Sequence, residues 1–459
     1  ILHAAALGKA AGGVEAIILG SEFVALTRVR GTGSITPAVA GLKALAAEVR
    51  SLLGASTRIT YGADWTEYGA ESRGGGQDVA FPLDPLWSDP NIDAVAIDWY
   101  PPVTDWRDGL NHLDASVYDG PHDRRMFAER IAAGEAHEWY YASDAARTAQ
   151  ARTPITDGAY GKPWVFRQKD LSNWWSNLHY PRSGGVETGV PTAWIPGSKP
   201  IWLLELGCPA IDRGGNAPNV FPDAKSSENG LPCFSRGARD DLAQACLLKA
   251  VIDRFSPDTP GFQPAANPMA TLYAGRMIDP SRIYLWCWDA RPFPAFPDHG
   301  DLWADAPAFQ TGHWLNGRIE GAPMDDLLAA ILADRGITQV DGLNVDGFAD
   351  GYVIDRPMSA RAAIEPLAAA FGFEPLFTGG ALRFVRRSGR AAATLQLSDL
   401  GVTDQTDRPA KARAQASELP SALTLGFVES NAAYRQGSVR VSVPAQRTRE
   451  ATALSLIHI

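Results

Sequence analysis

Ile201-Trp202-Leu203-Leu204-Glu205-Leu206-Gly207 is a continuous apolar run that closes on a carboxylate, and Ala16-Ile17-Ile18-Leu19-Gly20-Ser21-Glu22 repeats the pattern near the start of the chain. Apolar runs of this length, without alternation and bounded by Gly or Pro, read as strands buried on both faces, the habit of parallel sheets. In a (β/α)8 barrel the chemistry sits where the strands end, at the C-terminal mouth. A charge closing a buried strand costs free energy unless a partner or a reaction uses it. Two such glutamates, from strands far apart in sequence, are expected to face each other across one mouth. Facing carboxylates are what cleavage of a glycosidic bond requires, with a separation of about 5–5.5 Å for retention of configuration. The plainer alternative is that each glutamate caps its strand or pairs with a buried arginine.

Working outward, buried runs alternate with amphipathic segments up to about Gln310. A helix carrying Leu42, Leu45, Val49 and Leu52 on one face is closed by Gly54. Strands follow at Arg58–Asp64 and Ala94–Tyr100, then a Trp-rich stretch from Lys162, the Glu205 strand, a helix over Asp240–Phe255 and a last strand over Arg282–Asp289. This alternation predicts a parallel sheet with right-handed crossovers. No Gly-rich phosphate loop follows a strand, which favours a barrel over a doubly wound sheet. The strands end in Glu22, Asp64-Trp65, Asp98-Tyr100, Glu205 and Trp286-Trp288. Asp64, Trp65, Asp98, Tyr100, Trp286 and Trp288 are therefore the candidate substrate-binding residues, since sugar rings present apolar faces to aromatics and hydroxyl edges to carboxylates.

All fourteen tryptophans lie between Trp65 and Trp314. Trp164, Trp174, Trp175 and Trp194 fall on one long connection and are either groove walls or packing. Beyond the Gly312–Gly317 run the pattern becomes α+β: helices over Met324–Arg335 and Ser359–Phe371, a hairpin turning at Gly379-Gly380, and short strands at 394–398, 423–428 and 438–443.

With 459 residues and 45% apolar content the chain holds two or three domains with full cores. Its formal net charge of -10 argues against a nucleic-acid partner. No uncharged apolar stretch approaches the ~20 residues that cross a bilayer. Cys208, Cys233, Cys246 and Cys287 lack zinc spacing and read as free thiols, and the eight histidines show no metal-ligand spacing, so neither a metal nor another cofactor is expected. Cys208 reads as inert rather than as a thiol nucleophile, and Asp84, Asp89 and Asp93 as loop chemistry rather than a calcium site. The chain opens at Ile1 inside an apparent helix, as a fragment would.

Several stretches carry a family resemblance: Gly20-Ser21-Glu22-Phe23, Tyr61-Gly62-Ala63-Asp64-Trp65, Asp84-Pro85-Leu86-Trp87, Asp98-Trp99-Tyr100-Pro101-Pro102, Lys169 to Trp175, and Trp286 to Pro292. With them residues 1–315 resemble the glycoside-hydrolase-like TIM-barrel domain of the large tail protein of gene transfer agents and related tailed phages. Residues 322–459, with Ser359-Ala360-Arg361, Glu418-Leu419-Pro420 and Tyr434, resemble the phage-tail hub domain that follows it. The resemblance implies a distal tail or baseplate component of a virion-like particle, made in the bacterial cytoplasm. Its implied partners are cell-envelope glycan, other tail proteins and further copies of itself. The barrel is also similar to retaining glycosidases whose acid/base Glu ends strand four and whose nucleophile ends strand seven. Those roles fall on Glu22 and Glu205. Strands four to eight are then present, an N-terminally truncated barrel not expected to close alone, and the second domain is expected to run on past the end of the chain. Ser21 stands where those enzymes usually have an Asn that bonds the sugar 2-hydroxyl. The other function class is a free-standing retaining glycoside hydrolase with an accessory domain.

Overall fold

A computed structural model describes residues 1–32, 36–224, 226, 228–318, 321–387, 394–396, 420–429, 435–442 and 449–458. The chain divides into two compact units, Ile1–Asn316 and Gly317–Ile459.

The first unit is built on five strands: β1 (Ala16–Ser21), β2 (Arg58–Asp64), β3 (Val95–Trp99), β4 (Ile201–Leu206) and β5 (Ile278–Ile283). They lie side by side in chain order, and every pair is parallel. All five strands thus end on the same edge. Sequential parallel order is the arrangement of a TIM-barrel-like sheet, and closure to eight strands is not seen among the described residues. Helix α1 (Leu2–Ala10) precedes β1, and α2 (Pro37–Leu53) crosses from β1 to β2. Pro37 opens α2, where its missing N–H costs nothing, and Gly54 closes it with φ +79. α2 buries Val39, Leu42, Ala46 and Val49. Leu45 and Leu52, expected on the same face, are only half-buried at its margins. α3 (Asp241–Phe255) connects β4 to β5, and the Asp240 carboxylate caps it by accepting from Ala243 N at 3.0 Å.

The last strand differs from expectation. It spans Ile278–Ile283 rather than 282–289, and the chain beyond it runs on along β4, with Tyr284 N donating to Leu203 O and Trp286 N to Leu206 O, both at 2.8 Å. Gly207 allows this: a Cβ there would stand 2.5 Å from the Trp286 carbonyl oxygen. Cys287 then pairs with the 313–315 segment through Cys287 N to His313 O and Leu315 N to Cys287 O.

Trp164, Trp174, Trp175 and Trp194 are all buried. Trp164, Trp174 and Trp194 gather around the buried His179, whose ring stacks on Trp194 and Phe81. His179 Nδ1 lies 2.8 Å from the Asp84 carboxylate and its Nε2 lies 2.8 Å from Trp174 O. Asp89 organises the turn at Asn91, and Asp93 holds Arg50 and Ile59 N. The three aspartates thus serve three separate local purposes.

In the second unit α4 (Met324–Ala333) and α5 (Ala360–Phe371) pack through Met324, Leu328, Ile331, Ile364 and Leu367 against Phe373 and Phe384. Strands β6 (Val340–Asn344), β7 (Phe373–Thr378) and β8 (Ala381–Arg386) form a sheet in which β8 is central. β7 and β8 make the expected hairpin, with positive φ at both Gly379 and Gly380. Ser359 caps α5 through Ala362 N, as expected. A third sheet orders β9 (Pro420–Glu429) between β10 (Arg435–Ser442) and β11 (Arg449–His458). Residues 394–396, read as the start of a strand, are not in one. Positions 397–398 and 443, like Glu418, Leu419 and Tyr434, lie outside the described residues.

Candidate functional site

The common edge of the sheet gathers carboxylates. Glu22 follows β1 directly, Asp64 ends β2, Asp98 lies in β3 and Glu205 in β4. Asp64 pairs in register with Asp98, and Asp98 with Glu205. Both ladders slip by one residue just before the glutamates, between Ile18 and Ser21 and between Leu203 and Glu205. Such irregularities re-aim side chains at the ends of strands. Glu22 itself adopts φ +55, a left-handed conformation that costs a non-glycine residue about 1–2 kcal/mol, and its N–H is fixed to Gly62 O at 2.9 Å.

Glu205 accepts a 2.8 Å hydrogen bond from the buried Tyr100 hydroxyl. Partial burial raises the Glu205 carboxyl, the Tyr100 bond opposes that rise, and the charges of Glu22 and Glu228 add to it. Glu22 reaches solvent, yet the walls of the mouth strip part of its hydration. That loss, with the charges of Asp98, Asp64, Glu228 and Glu67, pushes it up to about 7. Glu22 and Glu205 thus lie within electrostatic reach of each other at one end of the sheet.

Asp98 is buried and accepts from Ser21 Oγ at 2.6 Å. Burial, offset in part by that bond and reinforced by Glu205, Asp64 and Glu67, raises it to about 7. The Ser21–Asp98 bond passes over Gly62, where a Cβ would come within 2.9 Å of Ser21 Oγ and 3.3 Å of Asp98 Oδ2. Glycine at 62 is what lets strands β1 and β3 communicate across β2.

The remaining sequence candidates divide. Asp64 spends one carboxylate oxygen on Thr66, accepting from its N at 2.7 Å and its Oγ1 at 2.5 Å, and so shapes the turn that leaves β2. Trp65, in that turn, lines a cleft with Trp164 and Trp174 rather than standing among the carboxylates. Trp286 lies beside the end of β4 and is 43% exposed, and Trp288 is 65% exposed. Exposed indoles of this kind suit the stacking of a sugar ring.

Two carboxylates escaped the sequence reading. Glu67 is buried, accepts from Thr27 Oγ1 at 2.5 Å, from Tyr61 OH at 3.0 Å and from Asp64 N at 3.2 Å, and is raised by burial. Tyr61 OH in turn accepts from Phe23 N at 2.6 Å, which ties the residue after Glu22 to this cluster. Glu228 stands on the long loop after β4 and acts on both Glu22 and Glu205 through its charge. Its position three residues after Asp64 in the strand-exit turn was a usable signal for Glu67; nothing in sequence marked Glu228.

With this edge described, the sequence of residues 1–297 matches the GTA TIM-barrel-like domain. The chain belongs to that family. Residues 359–459 match a phage tail protein family, Phage-tail_3. All six carboxylates of the mouth lie inside the GTA TIM-barrel-like match. A chain from the virion of native gene transfer agent (GTA) particle is similar at 27% identity with a TM-score of 0.32, over 37% of this chain and 38% of that one. The chain thus spans well under half the length of that relative. Among curated proteins none matches.

Proposed function

We propose that this member of the GTA TIM-barrel-like family is a distal tail or baseplate component whose barrel mouth binds cell-envelope glycan and cleaves it by a retaining two-glutamate reaction. The observation that carries the reading is the asymmetry of the pair. Glu205 is oriented by the Tyr100 hydroxyl, whereas no side chain among the described residues donates to the Glu22 carboxyl, which is raised to about 7. Two carboxyl groups with environments of unlike kind divide into an acid and a nucleophile. Glu205 attacks the anomeric carbon and forms the glycosyl ester. Glu22 gives its proton to the departing glycosidic oxygen and then takes one from the water that opens the ester, returning both groups to their starting state. Tyr100 steadies Glu205, Asp64 meets hydroxyl edges, and Trp286 and Trp288 stack on the ring faces, while the buried Asp98 acts on Glu22 through its charge. Ser21, already bonded to Asp98, leaves the 2-hydroxyl without the usual amide partner.

The unit from about residue 322 onward is proposed as the hub-like part that makes the assembly contacts, with several copies of the chain in one particle. Multiple copies raise the avidity of a weak glycan site without any new contact. A phage-tail match over 359–459 favours this reading over a free-standing hydrolase. Among the described residues no helix is long and apolar enough to cross a membrane.

The test compares wild type with Glu205→Gln for particle yield and for reducing-end release from purified Gram-negative envelope glycan. Unchanged yield with abolished release supports the proposal. No release by wild type leaves a glycan-binding module that lost the reaction, and loss of assembly in the variant makes Glu205 a structural residue.

A further inference from the structure

Outside the parallel sheet, the first unit carries a small antiparallel one made of Glu71–Arg73, Asp78–Ala80, Arg182–Ser183 and Val186–Glu187. The first two strands belong to the connection that leaves β2 after Asp64, and the last two to the connection from β3 to β4. With Arg30, from the segment after Glu22, this sheet lines a cavity of about 520 Å³. A run of contacts ties the cavity to the mouth. Thr27 Oγ1 donates to Glu67, the Arg28 guanidinium donates to Thr66 O at 2.7 Å, and Arg73 Nη2 donates to Arg28 O at 3.0 Å. Glu71 holds two guanidiniums at once, accepting from Arg30 Nη2 at 2.5 Å and from Arg73 Nε at 2.6 Å. Both side chains stay reachable, 29% exposed for Arg30 and 56% for Arg73. Arg30 keeps Nε and Nη1, and Arg73 keeps Nη1, without an acceptor among the described residues. Asp78 gives one oxygen to Gly184 N at 3.0 Å and keeps the other. Ser183 and Thr188 add hydroxyls to the wall, and Val79 and Phe81 add apolar surface. Arg182, also on the wall, is closed off by Asp157 through bonds of 3.0 and 2.7 Å. What remains, Arg30 and Arg73 against Glu71 and Asp78, carries no net charge.

We infer that this cavity is an outlying subsite of the mouth, which takes a neutral sugar ring of the glycan chain beyond the ring held at the carboxylates. The inference rests on the proposed reading of the mouth as a glycan site. A hydroxyl both donates and accepts, so a wall that sets guanidinium donors, a carboxylate acceptor and hydroxyls side by side suits a polyhydroxyl ring. An anion would be repelled by Glu71 and Asp78, and a cation by Arg30 and Arg73. Glu71 fixes both guanidiniums before the ligand arrives, which lowers the ordering cost of binding. The volume lies within the ~300–1,000 Å³ of ligand pockets.

The experiment is calorimetric titration of the full chain with neutral disaccharide and hexasaccharide fractions, and with an acidic hexasaccharide fraction, all from partial acid hydrolysis of Gram-negative envelope glycan. The titrations are repeated in Glu205→Gln, so that cleavage does not shorten the chain under study. The neutral hexasaccharide should bind at least about tenfold tighter than the disaccharide and no more weakly than the acidic one. Arg73→Gln should lose about tenfold for the hexasaccharide and nothing for the disaccharide, and Arg30→Gln should do the same. Arg73 is exposed, so its replacement leaves the core intact, and circular dichroism melting verifies the fold of both variants. A disaccharide that binds as tightly as the hexasaccharide overturns the inference. So does a preference for the acidic fraction, or undiminished hexasaccharide affinity in the folded Arg73→Gln. Sugar release by wild type without any length preference overturns this subsite and leaves the mouth standing. Length-dependent binding that Arg73→Gln weakens, with no release by wild type, upholds the subsite and removes the reaction.

Discussion

Asp98 and Trp99 are neighbours in one strand, yet they open onto opposite chemistries. On the Asp98 side, Glu22, Asp64, Glu67, Glu205 and Glu228 add to one another's charge, and no lysine or arginine is among the causes that act on Glu22, Asp98 or Glu205. On the Trp99 side, Lys169, Arg254 and Asp170 line one cavity. A strand buried on both faces separates two fields by little more than its own thickness. Charge on the Asp98 side is left mutually repelling, whereas on the Trp99 side the Lys169 ammonium is met by the carbonyls of Arg130 and Ala133. Elsewhere in this unit acid and base are matched: Asp105 and Asp114 hold Arg107, Arg130 and Arg152, and Asp157 holds Arg182. At the carboxylate edge one sign is left to stand alone, at the exits of the strands where a barrel-like fold does its work.

The largest effect expected on the carboxylate side is that of Glu205→Gln. If the mouth is a hydrolase, the attacking oxygen is gone and sugar release should fall to background, a loss beyond the about 10²–10⁴-fold of acid–base groups. Glycan binding measured by retention on an envelope-polysaccharide column should survive, because the amide keeps the shape. Loss of both would mean that Glu205 holds the mouth together rather than reacting.

Glu22→Gln should cost about 10²–10⁴-fold in kcat, the usual contribution of a general acid. It should also change the pH profile. Wild-type activity should fall as pH rises past about 7, where the Glu22 carboxyl loses the proton it must donate. The variant should lose that limb, and a substrate with a good leaving group, which needs no protonation, should recover much of the rate. A profile whose alkaline limb persists in the variant would assign it to another group, with Asp98, also near 7, the first to examine.

How much of this was legible in the sequence follows from how each residue is held. Leu203 and Ile201 are buried between two neighbouring strands, so their run of apolar residues announced β4. β5, Ile278–Ile283, has one neighbour in the sheet and carries Asp279, Pro280, Ser281 and Arg282. An edge strand tolerates proline and polar residues, so its pattern was hidden and the more apolar 282–289 was read in its place. Glu22 and Glu205 were legible because a carboxylate at the end of an apolar run is anomalous. Glu67 and Glu228 sit in loops where acids are ordinary, and only folding brings their charge to the mouth. Tryptophan count suggested a groove, whereas Trp164, Trp174 and Trp194 close around His179; composition does not say which face an aromatic covers.

A smaller effect distinguishes Tyr100 from Glu205 itself. Tyr100→Phe removes one hydrogen bond to a charged group, worth about 1.5–3 kcal/mol, and should slow release roughly ten- to a hundredfold without abolishing it. Because the Tyr100 bond favours the ionised Glu205, its loss should move the acid limb of the pH profile to higher pH. An unmoved acid limb with an unchanged rate would remove Tyr100 from the site.

The smallest effect is thermodynamic and needs no substrate. Asp98 is raised to about 7 in the folded chain, mainly by burial, while an unfolded Asp ionises near ~3.9. Between those values the folded state binds the extra proton, so unfolding free energy falls as pH rises from about 4 to about 7 and is level above. Asp98→Asn removes this slope while its amide oxygen still accepts from Ser21. The variant should therefore be more stable than wild type at pH 8, by on the order of 2 kcal/mol after allowance for relaxation around a buried group. At pH 4, where Asp98 carries its proton in the folded state, the two should melt together. Glu22 titrates over the same interval and is raised in part by the Asp98 charge, so in the variant its carboxyl moves down and adds, in the same direction, to the gain at pH 8. Thermal melts of the two proteins across this range measure it directly. A variant less stable than wild type at pH 8 would mean that the Asp98 charge is compensated, and that the mouth is not the field of unrelieved carboxylates that sets it apart from the other side of β3.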